Sequence, residues 1–122
     1  MKIVAIDHVQ LAMPPGGEAK AREFYAEILG LVEVPKPAYL ALRGGAWFEL
    51  DSVKLHLGVD SEFKASRKAH PGLLIRGLND LIRKLEQAGY SITRDDTLEG
   101  YNRVYVDDPF GNRIELMETS QS

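Results

Sequence analysis

The clearest structural signal in the chain is a hairpin motif near its end, where residues 103–118 read RVYVDDPFGNRIELME. Its centre, Asp108–Asn112, combines the aspartate, proline, glycine and asparagine residues that favour tight turns. The flanking segments, Arg103–Val106 and Arg113–Glu118, alternate aliphatic and polar residues with the period of a half-buried strand. The motif therefore predicts two antiparallel strands with one aliphatic face and one polar face.

Glu115 lies on the polar face of this predicted hairpin, because its aliphatic neighbours point the opposite way in an extended strand. The same alternation recurs in residues 53–59, where His56 stands between two leucines. The aliphatic faces are suited to packing against helices. We therefore expect His56 and Glu115 on the opposite, more polar side of their strands.

Two amphipathic helices are predicted, at Glu18–Leu29 and Asn79–Ala88. Their apolar residues recur with the i, i+3, i+4, i+7 spacing that gives a helix one apolar face. Gly30 and Gly89 follow at the position where a glycine commonly ends a helix. Asn79 is the expected N-cap of the second helix.

Each half of the chain shows the same order of elements, βαβββ. The first half predicts strands at Ile3–Met13, Leu31–Val34, Tyr39–Arg43, Ala46–Leu50 and Val53–Val59. The second half predicts strands at Pro71–Arg76, Tyr90–Arg94, Arg103–Val106 and Arg113–Glu118. This order predicts an α+β fold in which two paired βαβββ modules form a curved, mostly antiparallel sheet around a cleft. We expect one domain over residues 1–122, with modules at 1–60 and 70–122 and a connector at 61–69.

The composition of the 122-residue chain argues against several classes of protein. No cysteine is present, which excludes a disulfide scaffold and any thiolate-bound metal. The 15 basic and 18 acidic residues are dispersed, so no basic face for nucleic acid is visible. No apolar run approaches the length of a membrane span, and the first residues do not resemble a signal peptide. We therefore expect a cytoplasmic protein with no nucleic-acid or membrane partner.

The three histidines of the chain and one glutamate fall at matching places in the two halves. His8 and His70 are 62 residues apart and belong to the first strand of each half, while His56 and Glu115 are 59 residues apart and belong to the last. If a pseudo-twofold axis relates the halves, the two pairs converge on one centre. The expectation is that these four side chains bind one metal ion.

Imidazole nitrogen and carboxylate oxygen are the donors that divalent transition metals accept in proteins. A set of three histidines and one glutamate suits Zn, Ni, Fe, Mn or Co, and the lack of a thiolate argues against Cu(I). Taken alone, each of these residues is more often structural than metal-binding. The prediction of a divalent metal ion rests on all four together.

The chain resembles the vicinal oxygen chelate superfamily, which includes glyoxalase I, bleomycin-resistance proteins, fosfomycin-modifying enzymes and extradiol dioxygenases. The resemblance covers nearly the whole chain. It rests on Asp7-His8-Val9, on Ala21–Tyr25 with Leu29-Gly30-Leu31, on Leu55-His56-Leu57, on His70 before an apolar strand, and on Asp107–Leu116.

This resemblance implies a glyoxalase-like fold, a homodimer and a metal that chelates neighbouring oxygens of a small-molecule substrate. His8, His70 and Glu115 match the three ligands shared by fosfomycin-modifying enzymes and extradiol dioxygenases. His56 matches a fourth position, which is a glutamate in glyoxalase I, and this departure argues against glyoxalase I activity. The reaction class stays open among lyase, isomerase, oxygenase and transferase chemistry.

Several residues are candidates for contacts with the substrate or for proton transfer. His56 and Glu115 are the candidate catalytic residues, since either could carry a proton. The candidate substrate-binding residues are Tyr101, Arg103, Arg76 and Gln10. Trp47 is expected in core or dimer packing.

An alternative function is a metal-free protein that sequesters a toxin or an antibiotic, as bleomycin-resistance proteins do. Such a protein has no need of a bound metal. It uses a large groove lined by aromatic side chains. Metal content therefore distinguishes the two functions.

Overall fold

In the computed structural model, which describes residues 1–120, the chain folds as two compact units. The first unit is Met1–Phe63, and the second begins at Lys64. Each unit contains one four-stranded sheet and few helices. The α+β class and the two βαβββ modules are confirmed. Backbone hydrogen bonds join the strands of each unit into one sheet.

The first unit consists of β1 (Val9–Met13), α1 (Glu18–Ala21) continued by a π-helical segment (Arg22–Ile28), β2 (Val32–Val34), α2 (Ala38–Ala41), β3 (Ala46–Leu50) and β4 (Val53–Val59). The strand order is β1-β4-β3-β2, with β1 parallel to β4 and the other pairs antiparallel. The π-helical segment packs on β2 and β3, where the rings of Tyr25 and Phe48 lie 5.5 Å apart and are fully buried. The predicted helix thus covers the aliphatic face of this sheet.

The second unit consists of β5 (Gly72–Leu74), α3 (Leu78–Gln87), β6 (Thr93–Arg94), β7 (Tyr101–Asp107) and β8 (Arg113–Thr119). Its strand order, β5-β8-β7-β6, repeats the pattern of the first unit, with β5 parallel to β8. The aliphatic residues of β7, β8 and α3 form its core: Leu78, Ile82, Leu85, Val104, Val106, Ile114 and Leu116. No helix within residues 1–120 has the length and apolar character needed to cross a bilayer.

The turn between β7 and β8 forms as its sequence predicts. The carboxylate of Asp108, which is 4% exposed, accepts backbone hydrogen bonds from Phe110 (2.9 Å) and Asn112 (2.8 Å). Gly111 takes a positive φ of 92° that strains other residues. Because the buried carboxylate is fully hydrogen-bonded, it stabilises the turn that aligns β7 with β8.

The prediction of a strand at Tyr39–Arg43 is wrong, because this segment forms the short helix α2. Pro37 precedes it, and its carbonyl accepts hydrogen bonds from the backbone of Leu40 (2.9 Å) and Ala41 (3.0 Å). These local bonds satisfy the backbone without a neighbouring strand. Alanine and leucine also favour helix, so the alternation of apolar residues here is misleading.

The first strand is also shorter than the predicted Ile3–Met13. In the parallel pair of β1 and β4, Val9 lies opposite Leu55, so Val53 is level with Asp7. Because β4 begins at Val53, residues before Asp7 have no partner in β4. His8 therefore lies just before β1 and is exposed. A similar shortening affects the strand predicted at Pro71–Arg76, which is paired only at Gly72–Leu74.

The N-cap of α3 is Gly77 and not Asn79, which lies inside the helix. Glu118 supplies the capping carboxylate from β8, accepting from the backbone N–H of Gly77 at 2.8 Å and of Leu78 at 3.2 Å. A carboxylate at a helix N-terminus satisfies orphan donors and interacts favourably with the helix dipole. Since the cap comes from a residue 40 positions away, local sequence does not predict it.

We expect Gly45→Ala to lower the stability of the first unit far more than Gly30→Ala does. Both glycines have a positive φ, 84° and 81°, which costs an alanine about 1–2 kcal/mol. At Gly45 a Cβ would also lie 2.2 Å from the carbonyl oxygen of Leu57, whereas at Gly30 it would meet nothing within 4 Å. Denaturant unfolding should therefore give an additional loss of about 2 kcal/mol or more for Gly45→Ala. Equal losses would show that this contact does not limit the packing of the turn on β4.

Candidate functional site

The strand register of the first unit places His56 at the centre of a row of side chains on one face of the sheet. His56 of β4 pairs with Gln10 of β1 on one side and with Trp47 of β3 on the other. The neighbouring residues Leu55 and Leu57 are 1% and 0% exposed and point into the core. The alternation along β4 thus directs the imidazole to the face opposite the helix.

The imidazole of His56 is held between two other rings. The indole of Trp47 stacks on it with centroids 4.1 Å apart and planes 5° apart, and the imidazole of His8 stacks at 4.4 Å and 20°. His8 is itself oriented by a hydrogen bond between its Nδ1 and a carboxylate oxygen of Asp7, at 3.0 Å. The side chains of His8 and His56, far apart in sequence, therefore lie in direct contact.

The Nε2 atom of His56 is buried and has no hydrogen-bond partner within residues 1–120. Burial, and then the neighbouring His8, lower the pKa of His56 below its ordinary value. The imidazole is consequently neutral at pH 7, the form that binds a metal or accepts a proton. A buried polar atom without a partner is unusual and points to a missing ligand or a catalytic role.

In the second unit, His70 and Glu115 form a direct hydrogen bond. The Nε2 atom of His70 lies 2.8 Å from Oε1 of Glu115, and its Nδ1 lies 2.8 Å from the carbonyl oxygen of Lys68. The ring of Tyr105 meets that of His70 edge to face, with centroids 5.5 Å apart. His70 is therefore fixed through both ring nitrogens.

Arg103 holds the other oxygen of Glu115. Its Nη1 donates to Oε2 of Glu115 at 3.0 Å, and its Nη2 donates to Asp95 and Thr97, both at 3.2 Å. Burial by itself raises the pKa of Glu115, but the hydrogen bonds from His70 and Arg103 outweigh it and hold that pKa below its ordinary value. Glu115 is therefore ionised at neutral pH although it is only 7% exposed.

The two pairs occupy equivalent places in the two sheets. In β1, Gln10 lies opposite His56 and comes two positions after His8. In β5, Gly72 lies opposite Glu115 and comes two positions after His70. Trp47 and Tyr105 are also equivalent, because Trp47 lies opposite His56 and Tyr105 lies opposite Glu115 in the neighbouring antiparallel strand. Each unit thus presents a pair of candidate ligands beside an aromatic ring.

The residues proposed from sequence as substrate contacts differ in their surroundings. Arg103 is engaged by three internal acceptors, whereas Tyr101 is partly buried at the start of β7. Gln10 lies in β1 beside His56, and Arg76 is exposed after β5.

Sequence reasoning missed the roles of Trp47, Tyr105 and Asp95. For Trp47 it favoured core or dimer packing and did not predict that the indole stacks on His56. The polar-face position of Tyr105 in the alternation of β7 was the available signal. No sequence signal was available for Asp95, because its contact with Arg103 depends on the pairing of β6 with β7.

The donor atoms present fit a divalent metal of borderline softness. The three histidines offer ring nitrogens and Glu115 an ionised oxygen, and the Nε2 of His56, which has no hydrogen-bond partner within residues 1–120, is free to coordinate. Within residues 1–120, no group of three or more histidine, aspartate or glutamate side chains lies close enough to hold an ion. The arrangement described is therefore two pairs, one in each unit.

Two successive βαβββ units of this topology define the glyoxalase-like fold class. The chain belongs to the glyoxalase/bleomycin resistance protein/dioxygenase superfamily, whose sequence profile matches residues 5–116. This membership confirms the family resemblance seen in the sequence.

Solved structures show the same relationship over nearly the whole chain. A glyoxalase family protein from Bacillus anthracis is 41% identical, with 98% of each chain covered and a TM-score of 0.94. A glyoxalase/dioxygenase from Nostoc punctiforme (23% identity, 99% of each chain, TM-score 0.77) shares the fold. So does a fosfomycin resistance protein from Listeria monocytogenes (14% identity, 98% and 96% covered, TM-score 0.78). No curated protein matches the chain.

We expect Arg103→Met to destabilise the metal-free protein by about 2–3 kcal/mol at pH 7, because it leaves the buried carboxylate of Glu115 without its cation. The depressed pKa of Glu115 makes its ionisation stabilising above the usual glutamate range, and this contribution disappears as pH falls through the depressed value. The stability difference between wild type and variant should therefore shrink as the pH falls below the usual glutamate range. Urea unfolding at pH 7 and at progressively lower pH measures it.

Arg113→Met is the matched control for this experiment. Arg113 lies two residues from Glu115, with its guanidinium 5.3 Å from the centre of the Tyr105 ring, and forms no ion pair within residues 1–120. Its removal should cost less than about 1 kcal/mol, with little pH dependence. If the two variants lose the same stability, Arg103 does not stabilise the ionised Glu115.

Proposed function

We propose that the chain is a small metal-dependent enzyme that chelates neighbouring oxygens of a small substrate on a divalent ion. His8, His56, His70 and Glu115 are the proposed ligands, and Zn, Ni, Fe, Mn and Co are the candidate metals. A bound ion of this kind supplies Lewis acidity to a substrate oxygen that gains negative charge in the reaction. The reaction is of the lyase, isomerase, oxygenase or transferase type.

The observation that carries this proposal is the buried, unpartnered Nε2 of His56. Leaving such an atom unsatisfied costs about 1–3 kcal/mol, a cost that coordination of a metal ion would remove. Glu115, at the equivalent register position of the second unit, is ionised and already contacts another imidazole. Superfamily membership adds independent support, since metal-dependent enzymes are common in it.

The surroundings of each proposed ligand suggest distinct roles in proton transfer. His56 has a lowered pKa and is neutral at pH 7, so its Nε2 is able to accept a proton from a substrate carbon or hydroxyl. Glu115 is held by Arg103 at Oε2, which leaves Oε1 directed to His70. We therefore propose that His56 is the general base in the state in which its Nε2 does not coordinate the ion, and that Glu115 is a fixed anionic ligand that can also carry a proton.

The remaining parts of the proposal concern partners and location. Gln10, Arg76, Tyr101 and Arg103 are proposed to contact the substrate, with Arg103 acting chiefly by fixing Glu115. We further propose that the protein is a cytoplasmic homodimer. Its partner is a small molecule and not nucleic acid or membrane.

Elemental analysis of the gently purified protein, with thermal melting before and after chelation, tests the metal site. We expect a bound divalent ion and a stabilisation of about 2.7 kcal/mol when free metal exceeds Kd a hundredfold. Metal affinity should fall by at least about tenfold in each of four variants: His8→Ala, His56→Ala, His70→Ala and Glu115→Gln. Loss of a residue that only hydrogen-bonds to a metal ligand already has an effect of this size.

Glu99→Gln is the control for charge, because Glu99 is an exposed carboxylate of the second unit outside the proposed set. It should bind metal like wild type. Metal content and melting that are unaffected by all four ligand substitutions would contradict the proposal. Tight binding of a toxin or an antibiotic that survives complete metal removal would instead favour a sequestering protein.

A further inference from the structure

A pocket of about 220 Å³ lies in the first unit beside the His56 row. Its lining includes Gln10, Lys36, Arg43, Trp47 and Leu57. The proposed metal ligands are not among the lining residues, yet Trp47 lines the pocket and stacks directly on His56. The pocket is therefore a separate compartment adjoining the proposed site.

Two cationic side chains reach this pocket without a carboxylate partner. Within residues 1–120, neither Lys36 nor Arg43 forms an ion pair. The carboxylate of Glu18 lies nearby but outside the lining, where it accepts the backbone N–H of Gly45 at 2.8 Å. Two cations that have no ion-pair partner among these residues favour an anionic ligand in a concave site.

The loop that carries these cations is held in place by local contacts. Lys36 donates a hydrogen bond to the carbonyl oxygen of Gly44, and Glu18 binds the next residue, Gly45. Gly45 lies close against the backbone of Leu57 in β4, where a Cβ cannot fit. The positive side of the pocket is thus anchored to the sheet that carries His56.

Gly58 leaves room for a further polar group in the pocket. A Cβ at this position would lie 2.7 Å from the amide nitrogen of Gln10. The missing side chain therefore allows the Gln10 amide to lie across the strand beside the pocket. Leu40 and Val59, which are partly exposed, provide apolar lining.

We propose that this pocket binds a small organic carboxylate with a compact apolar group, through Arg43, Lys36 and the Gln10 amide. The volume is below the roughly 300–1,000 Å³ of pockets for drug-sized ligands, so a single ring is the upper limit. The proposal that this pocket is a substrate subsite rests on the function proposed above. The proposal that it binds a carboxylate does not require a metal.

The fluorescence of Trp47 tests this proposal directly, because Trp47 is the single tryptophan of the chain. Benzoate, a one-ring carboxylate, is titrated into chelator-treated protein with excitation at the red edge of the indole band. We expect a saturable change in emission. Benzamide, the neutral analogue, and acetate, which lacks the ring, should each bind at least about fivefold more weakly.

Arg43→Gln should weaken benzoate binding by about five- to tenfold. Its matched control, Arg67→Gln, removes an exposed arginine outside the pocket and should bind like wild type. Lys36→Met provides a second test against Lys20→Met, an exposed lysine of α1. Far-UV circular dichroism checks that the variants are folded.

An absent or unsaturable response, equal affinity for benzoate and benzamide, or equal affinities of the Arg43 and Arg67 variants would overturn the inference. Acetate binding as tightly as benzoate would do the same, because the apolar walls would then contribute nothing. These readouts require no metal. Loss of the benzoate response with normal metal binding therefore refutes the pocket alone, whereas the reverse result refutes only the proposed metal site.

Discussion

The parallel pairing of β1 with β4, and of β5 with β8, determines which residues of the first strand of each unit lie beside His56 and Glu115. In these pairs, Val9 lies opposite Leu55 and Gly72 lies opposite Glu115. A slip of one residue would turn His56 toward the core and expose its buried leucine neighbours. Burial of aliphatic side chains therefore determines the register, and the register in turn determines which polar groups meet.

The two units use the same register position for groups in different states. The carboxylate of Glu115 is saturated by His70 and Arg103, whereas the imidazole of His56 is packed between rings and retains an unpartnered nitrogen. A group fixed by hydrogen bonds is preorganised as an anion, whereas an unpartnered one is available for chemistry. This difference explains why we propose His56 as the base and Glu115 as the anchor.

Much of the fold is predictable from local sequence because its period is short. β3 and β4 begin and end where the alternation of residues predicts, at Ala46–Leu50 and Val53–Val59. The prediction failed where an apolar pattern had no strand to pair with. At residues 39–43 local hydrogen bonds from Pro37 formed α2, and before Val9 the partner strand had already ended.

The four candidate ligands can be named from the sequence, but their contacts cannot. The repeat of βαβββ and the matching places of three histidines and a glutamate follow from the sequence alone. The stacking of Trp47 on His56 and the hold of Asp95 on Arg103 do not, since they join strands whose pairing depends on packing.

By itself, the sequence determined the α+β class, the superfamily and which faces of the strands are polar, because these depend on residue periodicity and motif. The tertiary structure alone decided which side chains touch, that the Nε2 of His56 has no hydrogen-bond partner within residues 1–120, and where a positively charged pocket forms. The physical reason is that such contacts join residues distant along the chain. Their meeting depends on strand register and core packing, which no local pattern encodes.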